Sequence, residues 1–274
     1  MAAPELRRYS LLIQYDGTNF QGWQAQAEGR TVQGEIERVL ARITGERRAV
    51  LGSGRTDRGV HALGQVASVE IPGRWSARRL RSALNALLPL DVRVFEARRV
   101  PAAFHPRYDA SSRSYEYRVG TGPEAGSPFL RRWCWDASRE PPVRALLEAG
   151  ARLIPGERSF RKFAKSGQPE RGERCDVRTA RWSTWNGTGL RFSITADRYL
   201  HHMVRYLVGT MVAVARGRRP LGELDELLSE PNTPLVTSPP APPEGLFLAG
   251  VEYPADRLGN DPDRDPLPRD ESAR

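Results

Sequence analysis

Residues 52–65 read Gly-Ser-Gly-Arg-Thr-Asp-Arg-Gly-Val-His-Ala-Leu-Gly-Gln. One carboxylate, Asp57, stands between Arg55 and Arg58, with glycine at 52, 54, 59 and 64. Glycine admits backbone conformations closed to other residues and lets a second molecule approach the chain. Either arginine can neutralise a phosphate or hold the Asp57 carboxylate ionised. A lone aspartate so placed suits covalent or acid–base chemistry on a polyanion. The same composition also serves plain structural turns. Neither phosphate-loop fingerprint is present, since no GxxxxGK precedes Ser or Thr and no GxGxxG opens a helix. The loop takes its meaning from the rest of the chain.

A second group of chemical residues lies at 200–216. Leu200, Met203, Val204, Leu207, Val208, Met211, Val212 and Ala215 form the apolar stripe of an expected long helix. Arg205 falls off that stripe, one turn from His201 and His202. This gathers cationic or donor groups near a helix N-terminus, which attracts anions through its free N–H groups. The alternative is a solvated face. Adjacent histidines on a helix point about 100° apart and do not easily share one metal. No HxxxH or HExxH spacing occurs, and Cys134 and Cys175 form no CxxC pair. Neither a zinc site nor a disulfide framework is suggested, so both cysteines are expected to be free thiols and no metal is expected.

The elements that must position these residues belong to a folded chain of 274 residues with 39% apolar content and six tryptophans. No apolar run is long enough for a transmembrane helix. The N-terminus, MAAPELRRYS, lacks the apolar core of a signal peptide, and a cytoplasmic protein is expected. The net charge of +9 favours an acidic partner, nucleic acid first. Only Lys162 and Lys165 interrupt the arginines among 42 basic residues, and arginine suits bidentate phosphate contacts.

Arg8–Tyr15 alternates and reads as a strand. Thr31 caps a helix with Val32, Ile36, Val39, Leu40 and Ile43 on one face, and Ser76 caps a second that Pro89 stops. Strands are expected near 65–71, 91–97, 112–119 and 247–253. A hairpin about Asn186-Gly187 joins 178–185 to 190–196, and a helix covers 142–153. Tyr115, Tyr117 and Val119 share one strand face. The order predicts an α+β protein with helices against one face of a mainly antiparallel sheet. The expected division is an N-terminal half at 1–105, a C-terminal half at 106–254, and a disordered tail at 255–274 rich in Asp, Arg and Pro.

Taken together, five segments resemble the TruA family of tRNA pseudouridine synthases. They are YDGTNFQGWQ at 15–24, GSGRTDRGVHALGQV at 52–66, FHPRYDASSRSYEY at 104–117, YLHHMVRYLVGTMVAVARG at 199–217 and PEGLFLAGVEYP at 243–254. The resemblance covers most of the chain. Arg58 stands where many members carry a small residue, adding a phosphate contact, and Tyr199 replaces the usual phenylalanine. The loop at 161–175 is local in character, and its RNA contacts cannot be carried over.

The resemblance implies the pseudouridine synthase fold, two ferredoxin-like halves sharing a continuous antiparallel sheet. It implies isomerisation of uridines 38, 39 and 40 in the tRNA anticodon stem-loop, without cofactor or metal, by a homodimer whose RNA crosses a basic cleft. Asp57 matches the single catalytic aspartate, attacking ribose C1′ or assisting elimination at C2′, two routes that stay open. Arg205 matches its salt-bridge partner, lowering the Asp57 pKa by attraction. Tyr115 matches the tyrosine that stacks on the flipped uracil, its hydroxyl placed for proton transfer, while Tyr117 reads as core. Arg55 resembles the arginine that enters the RNA and holds the base out. Arg58, His201 and His202 complete the expected substrate-binding set. Two rivals remain, a non-catalytic RNA-binding protein on this scaffold and a related synthase with other RNA targets. A glycoside-type hydrolase lacks its second carboxylate in these motifs.

Overall fold

The computed structural model describes residues 5–165, 172–259 and 261. The chain divides into two units, one of residues 1–111 with 250–274 and one of 112–249.

In the first unit the predicted alternation becomes β1 (Leu6–Tyr15), with Tyr9, Leu11, Ile13 and Tyr15 all buried. β2 (Val50–Gly52) and β3 (His61–Pro72) follow, then β4 (Val92–Arg99). β1 lies between β3 and β4, antiparallel to both, with Leu11 opposite Ala67 on one side and Ala97 on the other. The three-residue β2 pairs with β3, Val50 facing Val69. Helix α1 (Val32–Thr44) starts where Thr31 accepts the Gly34 N–H and stops where Gly45 takes φ +84°. Helix α2 (Ala77–Leu87) starts at Ser76, whose side chain accepts the Arg79 N–H. Both caps follow the sequence expectation. The stripes Val32, Ile36, Val39, Leu40 and Ala77, Leu80, Leu84 are buried, each large side chain contributing about 1.5–3 kcal/mol. The two helices touch one another, and α2 packs on β4.

The second unit repeats the α+β plan. β5 (Ser112–Gly120) alternates as expected, burying Tyr115, Tyr117 and Val119. A two-residue strand β6 (Trp135–Asp136) runs parallel to β5. Helix α3 (Arg144–Arg152) precedes β7 (Gly156–Ser159), β8 (Arg174–Trp185) and β9 (Gly189–Ala196). β9 pairs antiparallel with β5, Tyr115 opposite Ile194, and with β8 through the predicted hairpin. Asn186 and Gly187 both take positive φ there, 42° and 70°, which matches the strand twist. β7 closes the edge on β8. Helix α4 (Met203–Ala215) is buried almost all round, and α3 packs on it, on β8 and on α5 (Leu221–Ser229).

β10 (Leu246–Glu252) begins in the second unit and ends in the first. A one-turn helix, α6 (Ala255–Leu258), follows Pro254. Arg98 donates to the Leu258 and Gly259 carbonyls, and Asp261 accepts the Arg99 N–H. The first residues of the expected disordered tail are therefore ordered, and the remainder of that expectation falls at 260 and 262–274, outside the described residues. Among the described residues no helix is long and apolar enough to cross a membrane.

Candidate active site

Asp57 sits in the turn between β2 and β3, and the turn is anchored residue by residue. The Ser53 N–H donates to the Val66 carbonyl at 2.8 Å. The Ser53 hydroxyl donates to Oε1 of Gln65 at 2.7 Å, while Nε2 of Gln65 donates to the Gly54 carbonyl at 2.9 Å. Gln65, fully buried on β3, thus ties both ends of that segment. Thr56 is buried and shares a 2.7 Å hydrogen bond with the Tyr15 hydroxyl. Beyond it the Val60 N–H returns to the Asp57 carbonyl, with Gly59 at φ +78°. Pinning Thr56 inward leaves Arg55 and Arg58 exposed and Asp57 half-buried between them.

The loop at 16–24 supplies the other half of the anchor. The Trp23 N–H donates to the Thr56 carbonyl at 3.0 Å. Gly22, at φ +104°, brings its backbone so close that a Cβ would stand 2.6 Å from that same oxygen. A Cβ on Gly17 would stand 2.0 Å from the Val60 carbonyl oxygen. The Gly17 N–H donates to Nδ1 of His61, itself buried, at 3.0 Å. Asp16 accepts the N–H and hydroxyl of Thr18 and lies 3.2 Å from the same His61 nitrogen. Burial pushes the Asp16 carboxyl up, and the neighbouring His61 imidazole and the Thr18 hydrogen bonds outweigh it, holding it down at about 2.

Arg55 is oriented from α1. Its Nε donates to Oε1 of Gln24 at 3.2 Å, Nε2 of Gln24 donates to Oε1 of Gln33, and Nε2 of Gln33 donates to Glu37 at 2.7 Å. Ser53, Gln65, Thr56, Tyr15, Gln24 and Gln33 stand within or near the quoted motifs, yet spacing alone assigns them no task. Apart from Gln33 and Glu37, four residues apart on α1, the side-chain partners named here lie 9 to 41 residues apart in sequence, beyond any local pattern.

In the second unit Tyr115 keeps 9% of its surface exposed and meets Tyr199 edge-on, ring centroids 4.9 Å apart. The Tyr199 hydroxyl donates to the Arg113 and Ile194 carbonyls, which fixes the ring beneath Tyr115, and burial raises its pKa well above the usual phenol value. Tyr117 is fully buried, its hydroxyl on the Pro242 carbonyl and its pKa raised by the same cause, as a core residue should be. Arg205 donates from Nε to the Ala241 carbonyl at 2.7 Å, and the Ala241 N–H returns to the Arg205 carbonyl at 2.9 Å. The proline-rich segment around 239–242 lies so close to α4 that a Cβ on Gly209 would stand 2.2 Å from the Pro239 oxygen. That strap fixes the plane of the Arg205 guanidinium.

The histidines correct the expectation. α4 begins at Met203, and His201 and His202 form the turn before it, His202 at φ +65°. The apolar stripe continues through Leu200, but a left-handed residue cannot extend a right-handed helix. The angular separation expected on a helix does not apply, and the two imidazoles lie with centroids 4.2 Å apart. Cys134 and Cys175 are free and buried, and burial lifts their thiols to about 11 and about 12.

The family model for tRNA pseudouridine synthase matches residues 11–109 and 126–254. The tRNA pseudouridine synthase A of Syntrophomonas wolfei is 36% identical over 256 residues, 92% of this chain and 99% of that protein. The corresponding proteins of Solidesulfovibrio magneticus and Moorella thermoacetica are each 39% identical, covering 90% and 89% of this chain and 92% and 98% of their own. With the model spanning both units and such relatives covering nearly the whole length, the chain belongs to the tRNA pseudouridine synthase family.

Proposed function

We propose that the chain converts uridines 38, 39 and 40 of the tRNA anticodon stem-loop to pseudouridine, with Asp57 as its one catalytic aspartate. The N1–C1′ bond breaks, the uracil turns, a C5–C1′ bond forms, and the proton lost from C5 is balanced by one gained at N1. Asp57 serves as a carboxylate, either displacing uracil at C1′ or taking the C2′ proton. Arg205 is its charge partner. Tyr115 stacks on the uracil, Arg55 holds the base out, and Arg58, His201 and His202 bind the RNA. The reaction is an isomerisation and needs no redox cofactor.

The observation that carries the reading is Asp57 itself, held on a buried threonine between two exposed arginines in a chain of this family. The choice of uridines follows the motif resemblance. The same reading carries a cytoplasmic homodimer, checked by light scattering at twice the chain's mass.

Unmodified tRNA transcripts, mapped by position, test it. The wild type should form pseudouridine at 38–40, and Asp57→Ala should still bind tRNA while losing roughly four orders of magnitude or more in turnover. Product at other positions reassigns the target. A folded wild type that binds tRNA and makes no product leaves the non-catalytic reading.

A further inference from the structure

The segment joining β4 to β5 presents an aromatic ring that the reaction above leaves unused. Tyr108 is 75% exposed. Its ring rests on His105, centroids 4.3 Å apart and planes 34° apart, and the Arg107 guanidinium carbon lies 5.7 Å from its centre. The loop beneath is tightly built. The N–H groups of Arg107 and Tyr108 both donate to Nδ1 of His105, at 3.1 and 3.2 Å. The His105 N–H donates to Oδ2 of Asp109, whose own N–H returns to the His105 carbonyl. Below, Phe104 is buried against Tyr253 at 5.2 Å, and the Tyr253 hydroxyl donates to the Pro106 carbonyl at 2.6 Å. A large ring left in water on a fixed loop fills no core.

We propose that Tyr108, backed by His105 and flanked by Arg107, is a stacking platform for an unpaired nucleobase of the RNA substrate, lying outside the residues assigned to catalysis. The inference rests on the reading of the chain as a tRNA-modifying enzyme. Every base offers a π-face, so an exposed aromatic ring binds unpaired RNA with little regard to sequence. A ring fixed beforehand loses little freedom on binding. The surroundings select RNA over a protein partner. The neighbours are His105, Arg107, Asp109 and, 3.8 Å from Asp109, Arg257, a polar and cationic rim on a chain of net charge +9. The core of a protein interface is depleted of acidic and other charged residues, whereas this ring stands among them.

The test compares full-length wild type, Tyr108→Ala and Tyr108→Trp in filter-binding titrations of a tRNA transcript across a salt series. Light scattering and pseudouridine mapping accompany each protein. Tyr108→Ala should weaken binding about tenfold, and Tyr108→Trp should restore it. The slope of log affinity against log salt should stay at the wild-type value, because no phosphate contact is lost. Wild-type affinity in Tyr108→Ala, or a shallower slope, overturns the platform. So does a loss of affinity that tracks dissociation of a dimer, which makes the ring a contact for a second copy of the chain. A wild type that neither binds nor modifies tRNA overturns the functional reading and this inference with it. An active wild type matched by Tyr108→Ala overturns this inference alone.

Discussion

Thr56 and Asp16 hold the two loops at the site in place, although neither is a candidate for chemistry. Burying Thr56 against Tyr15 makes its neighbours face outward, so one threonine–tyrosine bond decides how Arg55, Asp57 and Arg58 are displayed. Asp16 holds the adjoining loop by accepting from Thr18, beside His61. Its carboxyl, at about 2 when folded, lies below the ordinary value of 3.8. A depressed folded-state pKa stabilises the protein fully above the unfolded value and loses that contribution as pH falls through the folded one. Unfolding midpoints should therefore drop between roughly pH 4 and pH 2, by on the order of 2 kcal/mol from this group. Asp16→Asn should flatten that part of the profile in urea titrations at stepped pH. An unchanged profile would mean that Asp16 does not stabilise the fold through its charge.

Two loops, 16–24 and 53–60, behave as one element because each fills space that the other needs. A methyl group at Gly17 would collide with a backbone carbonyl, which no rotamer change relieves. Gly17→Ala should cost about 3 kcal/mol or more, lowering the melting temperature by roughly 10 °C. Gly45→Ala is the control, since Gly45 has φ +84° but open space around it, and it should cost only about 1 kcal/mol. Elements with a strong period or a side-chain cap were readable in the sequence, as β1, β5, α1 and α2 show. β2 and β6 were not, since two or three residues cannot display a period. α5 lacks a side-chain cap hydrogen bond, and the start of α4 is masked by Leu200 continuing its stripe. Asp57 was visible because its neighbours are unusual. What fixes it was not, because Gln65, Tyr15 and Trp23 reach it only through the fold.

At the scale of the molecule, the charge of +9 is spread over exposed arginines such as Arg55 and Arg58. Binding of tRNA should weaken steeply with salt, by about a thousandfold between 50 and 200 mM if roughly six phosphates are neutralised. A flat salt titration would rule out a phosphate-dominated surface. The composition of the first unit adds a consequence in time. It is built from both ends of the chain, since Ser111 bonds to Glu252, Phe104 packs on Tyr253 and Arg98 holds the carbonyls at 258 and 259. On the ribosome, residues 112–249 are all synthesised before the residues from 250 on that complete the first unit. The half that carries Asp57 starts first and finishes last, so it can close only after the whole second unit has been made.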